Sequence, residues 1–187
     1  MASRRTAPSS RLALLRGINV GGRRKVPMAD LRRLATELGW DDPATYIQSG
    51  NLVFRATETA EDLAAALEKA LADRFGFEVP VVVRDATDWL RDAASSPFPD
   101  AEHERPNLLH LALARQTPPK GLASDLQRYC TAGERIAVRR GVLWLDYPNG
   151  VARSKVTPAV LDRAVGAPVT ARNWKTVRAL AAMLDPS

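Results

Sequence analysis

The residues best suited to chemistry form a stretch of glycines and cations, RGINVGGRRK, at residues 16–25. Glycine permits positive φ, so backbone N–H groups can converge on an anion there while Arg and Lys neutralise its charge. The Gly17-to-Gly22 spacing is close to that of a phosphate-binding P-loop, but that motif continues with Lys and Ser or Thr, which are missing here. We reject a P-loop and weigh anion binding against a flexible loop with solvated charges. The candidate ligand-binding residues are Arg16, Gly17, Asn19, Gly21, Gly22, Arg23 and Lys25.

A second polar stretch, QSGN at residues 48–51, lies between two strand candidates. Taken alone, Ser-Gly-Asn is ordinary turn chemistry. Gln48 and Asn51 nevertheless offer hydrogen-bond donors and acceptors to a base or a sugar, which would complement phosphate-neutralising cations elsewhere. The candidate ligand-binding residues of this stretch are Gln48, Ser49 and Asn51.

Two further basic stretches, GVARSK and TARNWK, lie in the C-terminal half. Each precedes a predicted helix, and helix N-termini beside cations favour anions. The alternative is that Ser154 and Asn173 only cap helices, and that Trp174 anchors the core because it shares helical spacing with Val177 and Ala181. The candidate ligand-binding residues here are Arg153, Ser154, Lys155, Arg172 and Asn173.

The sequence does not disclose a reaction, and we assign no catalytic residue. His110 lies in an apolar run and is interpreted as a core or sheet-face residue, and Cys130 as a structural thiol. With one cysteine and two histidines, a zinc site of usual composition is nearly excluded, so we expect no metal. A dinucleotide-binding GxGxxG stretch does not occur, and no cofactor is expected.

Composition and charge narrow the class of protein. The 187 residues are 45% hydrophobic and 26% charged, a globular balance, and carry a net charge of +6. Residues 11–25 hold five cations and no acid, and residues 150–178 hold six cations against one acid. This concentration of positive charge indicates local attraction of anions, weighed against chance clustering in an arginine-rich chain.

Apolar runs, the N-terminal stretch and the cysteine count indicate the compartment of the protein and whether it contacts a membrane. No apolar run approaches the roughly 18 residues that suggest a membrane span. The opening MASRRTAPSS lacks the apolar centre of a secretory signal, and the single cysteine cannot make an internal disulfide. We therefore expect a cytoplasmic protein without membrane contact, whose oligomeric state stays open.

The elements that must position these stretches alternate in a repeated order. Strand and helix patterns give βαββαβ twice, followed by a terminal helix from about Trp174. The predicted fold class is α+β, two ferredoxin-like βαββαβ units in tandem plus a C-terminal helix. The predicted segments are a disordered basic arm at 1–10, a first unit at 11–85, a connecting helix and linker at 86–106, and a second unit with the terminal helix at 107–187.

This topology predicts which stretches meet. In a βαββαβ unit the first and second strands are parallel, so the loop at 16–25 and the turn at 48–51 should touch at one edge of the sheet. The third and fourth strands are also parallel, so GVARSK and TARNWK should leave the second sheet at a common edge. We also expect Arg172 to be at least partly exposed and Trp174 to be buried.

Five motifs in collinear order carry a resemblance: LLRGINVGG, the KVPM helix start, TYIQSGN with LVF, GVARSK and TARNWKTV. Together they resemble the bacterial domain-of-unknown-function 1697 family over residues 12 to about 183. The resemblance implies a two-part α+β protein of this size with no established activity, so no catalytic role carries over. Arg24 and Lys175 stand where the family pattern has Asn, and both add positive charge. The matching positions are Arg16, Gly17, Asn19, Gly21, Gly22, Gln48, Ser49, Gly50, Asn51, Arg153, Ser154, Lys155, Arg172, Asn173 and Trp174.

Three functions compete. The favoured hypothesis is binding of nucleic acid or another polyanion, for which ferredoxin-like sheets use exposed aromatic residues. The second is an enzyme or sensor for a small phosphorylated or nucleotide ligand bound between the two units, and the third is an interaction protein whose motifs serve packing. The aromatic candidates for base stacking are Tyr46, Phe54, Trp144 and Tyr147.

Overall fold

The computed structural model describes residues 7–185, which form two units of alternating strands and helices. The first unit comprises residues 7–90 and 182–185, and the second is Arg91–Ala181. The elements in chain order are β1 (Ser9–Leu15), α1 (Met28–Glu37), β2 (Asp41–Tyr46), β3 (Asn51–Ala56), α2 (Ala60–Phe75), β4 (Val81–Asp85), α3 (Ala86–Ala93), α4 (Pro99–Glu104), β5 (Leu109–Leu113), α5 (Leu122–Leu126), β6 (Arg135–Arg139), β7 (Val142–Asp146), α6 (Pro158–Val165), β8 (Thr170–Asn173) and α7 (Trp174–Leu184).

The first unit is a four-stranded antiparallel sheet in the order β2-β3-β1-β4. Apolar residues at helical spacing on α1 and α2, such as Leu31 and Leu67, join Phe54 of β3 in one buried cluster. Helix α2 begins at the capping residue Thr59, whose hydroxyl accepts the Asp62 N–H, and ends at Gly76 in the left-handed conformation. Local sequence signals therefore account for the bounds of this helix.

The second unit repeats this arrangement, with the sheet order β6-β7-β5-β8 and neighbours antiparallel. Leu126 of α5 and Leu161 of α6 pack in one buried cluster with Leu143 of β7. The Asn173 side chain accepts the Thr176 N–H at 2.9 Å and so caps α7. The predicted fold class, two ferredoxin-like βαββαβ units with a C-terminal helix, is confirmed.

Several predicted bounds are wrong. Strand β1 begins at Ser9, so the basic arm does not extend to residue 10, and residues 1–6 lie outside the described part of the chain. The linker expected before Pro106 contains helix α4, which is started by Pro99. Here the Glu102 carboxylate also accepts the Ser96 N–H, which holds the helix against the preceding loop. Between β5 and β6, where the βαββαβ pattern predicts one helix, the chain forms the short helix α5 and a 3-10 turn at Gln127–Tyr129.

A buried carboxylate organises one edge of the second unit. Asp146, which is 0% exposed, accepts hydrogen bonds from Arg105 Nε at 2.9 Å and from Arg135 Nε at 2.8 Å. Arg135 and Arg105 also donate to Asp100, and these hydrogen bonds lower the pKa of that carboxyl to about 2. The network ties α4 to β6 and β7.

Candidate functional site

The end of β1 and the turn between β2 and β3 meet at one edge of the first sheet. The Leu15 N–H donates to the Gly50 carbonyl at 2.9 Å, and the Asn19 side-chain amide donates to the Gln48 carbonyl at 2.8 Å. The predicted contact between RGINVGGRRK and QSGN is therefore confirmed. We call this edge, made of residues 16–27 and 47–50, the basic rim.

Within the basic rim, the glycine-rich loop is a miniature hairpin. The Arg23 N–H donates to the Val20 carbonyl at 3.1 Å, and the Asn19 N–H donates to the Arg24 carbonyl at 3.1 Å. Gly21 and Gly22 have φ of 57° and 74°, the conformations of a two-residue hairpin turn that requires positive φ twice. These glycines therefore build a turn. The expectation that they let several backbone N–H groups converge on an anion is wrong for the Arg23 N–H, which is bonded within the turn.

The side chains of two polar candidates are occupied by hydrogen bonds within the protein. The Asn19 amide donates to the carbonyls of Val26 and Gln48, and its oxygen accepts the Val26 N–H. Asn51 is 0% exposed and donates to the Tyr46 carbonyl and to the Ser49 hydroxyl. These bonds give Asn19 and Asn51 a structural role, and their amides are not the donors that we assign to a ligand.

A recess of about 370 Å³ opens on the basic rim. Lys25 is the one charged residue of its lining, Gln48 adds a primary amide, and both side chains belong to exposed residues. None of the lining residues is acidic. The lining consists of Asn19, Gly22, Lys25, Val26, Pro27 and Gln48.

Helix α1 starts beside this recess, because its N-cap residue, Pro27, belongs to the lining. Pro27 makes no side-chain capping bond. The start of a helix carries partial positive charge, which adds to the charge of Lys25. Asp30 in the first turn opposes this effect, but its carboxylate lies 3.6 Å from Arg33 and 3.7 Å from Arg74. The recess therefore combines a cation, an amide and a helix start.

Gly50 fixes the geometry of the QSGN turn, and Gly50→Ala is expected to destabilise the chain by about 2–4 kcal/mol. Its φ is 80°, and a Cβ there would lie 2.7 Å from Ile18 Cδ1 and 2.8 Å from Leu15 Cβ. Gly76→Ala is the control, because Gly76 has φ of 74° but no atom within 4 Å of its Cβ position. Urea unfolding measures both, and equal losses would show that the steric conflict is absent.

The second group of candidates lies at the edge where β7 and β8 leave their sheet. The Tyr147 N–H donates to the Leu108 carbonyl and the Trp174 N–H to the Pro106 carbonyl, each at 3.0 Å, so both strands end beside the start of β5. The two strands therefore end at one edge, as predicted, but the expectation that TARNWK leaves the sheet there is wrong for its first four residues, because Thr170–Asn173 form β8 itself. This edge lies at the start of β5, whereas the basic rim follows the end of β1 in the first unit.

At this second edge Arg153 and Lys155 are exposed, but Ser154 is buried. The Ser154 hydroxyl donates to the Glu134 carboxylate and accepts the Val156 N–H at 3.0 Å, so it joins two loops. Thr157, and not Ser154, caps α6 by accepting the Val160 N–H. Glu134 was missed by the sequence analysis, because nothing local marks a carboxylate that lies 20 residues from its partner.

Arg172 and Trp174 are both buried. Trp174 is 5% exposed, and its ring centroid lies 5.7 Å from that of Trp144, so its predicted burial is confirmed. The expectation that Arg172 is at least partly exposed is wrong, because it is 7% exposed. It belongs to strand β8 and donates to the Thr170 hydroxyl and the Ala171 carbonyl. Burial lowers the pKa of Arg172 to about 10.

The aromatic candidates for base stacking are largely inaccessible. Phe54, Trp144 and Tyr147 are buried, and Tyr46 is half-buried. These residues therefore do not offer an exposed stacking surface of the kind that single-strand binding sheets use.

The remaining titratable candidates are His110 and Cys130, and partial burial disfavours the charged form of each. Half-buried His110 lies with Nδ1 3.1 Å from the Leu108 carbonyl, and burial lowers the pKa of its imidazole. Burial also raises the pKa of the Cys130 thiol, which disfavours the reactive thiolate.

Across residues 7–185, no group of three or more His, Cys, Asp or Glu residues could hold a metal ion. None of the helices within these residues has the length and the hydropathy of a membrane span.

Comparison with known proteins places the chain among proteins without an assigned activity. The family model described as "Protein of unknown function (DUF1697)" matches residues 9–144. The structure is similar to that of the conserved bacterial protein SP0830 from Streptococcus pneumoniae, with a TM-score of 0.69 and 25% sequence identity, over 95% of this chain and 99% of that chain. A search of curated proteins finds no match.

Proposed function

We propose, from the premise that this chain belongs to the DUF1697 family of proteins of unknown function, that it binds a small phosphate-bearing molecule at the basic rim. The observation that carries this proposal is the recess of about 370 Å³, whose lining holds Lys25 and Gln48 and no acid. Phosphate is the anion that such a lysine recognises as a point charge. The ligand is therefore held by charge at Lys25 and oriented by the Gln48 amide.

The charge around the recess favours the same conclusion. Residues 16–27 and 47–50 contain Arg16, Arg23, Arg24 and Lys25 and no acidic residue. The uncapped start of α1 adds its partial positive charge. A dianionic phosphate meets attraction from each of these groups.

A small ligand is preferred here to a nucleic acid. The recess has the size of a small-molecule site, which typically measures about 300–1,000 Å³. Binding of a single strand draws much of its affinity from bases stacked on aromatic rings, and Phe54, Trp144 and Tyr147 are buried. The exposed cations of the basic rim still attract a polyanion, so an oligonucleotide belongs in the test.

Titration calorimetry of the full chain with inorganic phosphate, pyrophosphate and ribose phosphate at low salt tests the proposal. We expect binding that Lys25→Ala weakens by at least about tenfold, since a hydrogen bond to a charged group contributes about 1.5–3 kcal/mol. Lys120→Ala is the matched control, because Lys120 is an exposed lysine of the second unit. It should bind as the wild type does.

Absence of binding by every phosphate compound at low salt, or equal affinity of wild type and Lys25→Ala, would refute the proposal. A labelled oligonucleotide provides the second arm. If it binds more tightly than the small compounds, with log K falling by about 0.7 per phosphate contact for each unit of log salt, the polyanion hypothesis replaces the small-ligand proposal.

A further inference from the structure

The basic rim carries exposed aliphatic side chains as well as cations. Among the residues that the structure describes, four large hydrophobic residues are exposed, and two of them, Val20 at 69% and Ile47 at 49%, belong to the basic rim. Val20 follows Asn19 and Ile47 precedes Gln48, and both of these neighbours line the recess. Each of the two loops that line the recess therefore carries one exposed apolar residue, next in sequence to a lining residue.

Ile47 occupies its position at a cost in stability. Its φ is 49°, in the left-handed region that disfavours β-branched residues and is tolerated best by Gly, Asn and Asp. Exposed at 49%, Ile47 buries only about half of its surface in the described fold. An unfavourable backbone conformation at an exposed apolar residue points to a contact that is made when the site is occupied.

We infer that the molecule bound at the basic rim is a nucleoside phosphate, an inference that rests on the proposed function. Lys25 holds the phosphate, and the base lies against Val20 and Ile47. A sugar phosphate has no apolar face for these two residues, whereas a nucleobase has two.

Gln48 supplies the remaining chemistry. Its primary amide offers one donor and one acceptor side by side, a pattern that matches the edge of a base such as adenine. Because Gln48 lines the recess next in sequence to Ile47, the edge and the face of one base can be met by neighbouring residues. Phosphate, base face and base edge thus each have a partner on the basic rim.

The test compares ribose phosphate with the nucleoside monophosphates of adenine, guanine, cytosine and uracil, by calorimetry on the full chain. We expect at least one nucleotide to bind about tenfold more tightly than ribose phosphate. The double variant Val20→Ser, Ile47→Asn should lose this preference, so that it binds the nucleotide no more tightly than it binds ribose phosphate.

Matched controls separate this contact from a general loss of apolar surface or of folding. The double variant Val138→Ser, Val151→Ser changes the other two exposed large hydrophobic residues and should keep the preference. Ile47→Asn alone should raise the melting temperature or leave it unchanged, because asparagine tolerates the left-handed conformation. A lower melting temperature would contradict the strain argument.

Failure of this inference differs from failure of the proposed function. If ribose phosphate binds in a Lys25-dependent way but no nucleotide binds more tightly, the base contact is refuted and phosphate recognition stands. A preference that survives Val20→Ser, Ile47→Asn also refutes the base contact. If none of the phosphate compounds binds, both proposals fall together.

Discussion

Asp146→Asn is expected to destabilise the second unit by about 3–5 kcal/mol, the usual cost of removing one partner from a buried ion pair. The Asp146 carboxylate is 0% exposed and accepts two bonds from Arg105, at 2.9 Å each, besides the one from Arg135. Asparagine has the same size, but it lacks the negative charge and its NH₂ group would face two guanidinium donors. Urea unfolding followed by circular dichroism measures the loss.

The matched control is Asp73→Asn. Asp73 pairs with Lys69 on α2, and both side chains are well exposed, at 66% and 78%. An exposed pair of this kind contributes about 0–1 kcal/mol. Equal losses for Asp146→Asn and Asp73→Asn would contradict the structural role assigned to the buried network.

Trp174→Ala is expected to destabilise the chain by about 3–5 kcal/mol, as removal of a large aromatic side chain from a core does. Trp174 is 5% exposed and packs beside Trp144, so alanine would leave a cavity and remove an aromatic contact. Thermal and urea unfolding measure the effect.

Trp174→Phe serves as the comparison, because phenylalanine keeps an aromatic ring and part of the volume. We expect it to lose clearly less than Trp174→Ala. An unchanged melting temperature for Trp174→Ala would rule out the assignment of Trp174 to the core, because its burial would then contribute nothing to stability.

The sequence by itself determined the order and type of most elements, because their signals are local. Thr59 and Gly76 mark the two ends of α2, and Thr157 with Gly166 marks those of α6. Capping and left-handed termination involve residues a few positions apart, so they can be recognised without the fold. The meeting of the basic loop with the QSGN turn followed from strand direction alone.

The sequence did not determine where the last strand begins and ends. Strand β8 spans Thr170–Asn173, so most of the TARNWK stretch forms the strand that the predicted topology has it follow. Arg172 consequently pairs with Leu111 in the sheet and is buried, where a loop position had been expected to expose it. A shift of a few residues changes whether a side chain lies in a sheet or follows it, and short polar strands carry little periodicity to prevent such an error.

Only the tertiary structure decided which polar groups remain available to a ligand. The side-chain chemistry of three candidates suits ligand binding, but in the fold these side chains are hydrogen-bonded within the protein. Asn19 donates to Gln48, Asn51 to Tyr46 and Ser154 to Glu134. Asp146 and Arg105 meet across 41 positions of sequence. Hydrogen-bonding capacity is a property of the residue type, whereas its use depends on which distant groups the fold brings within about 3 Å.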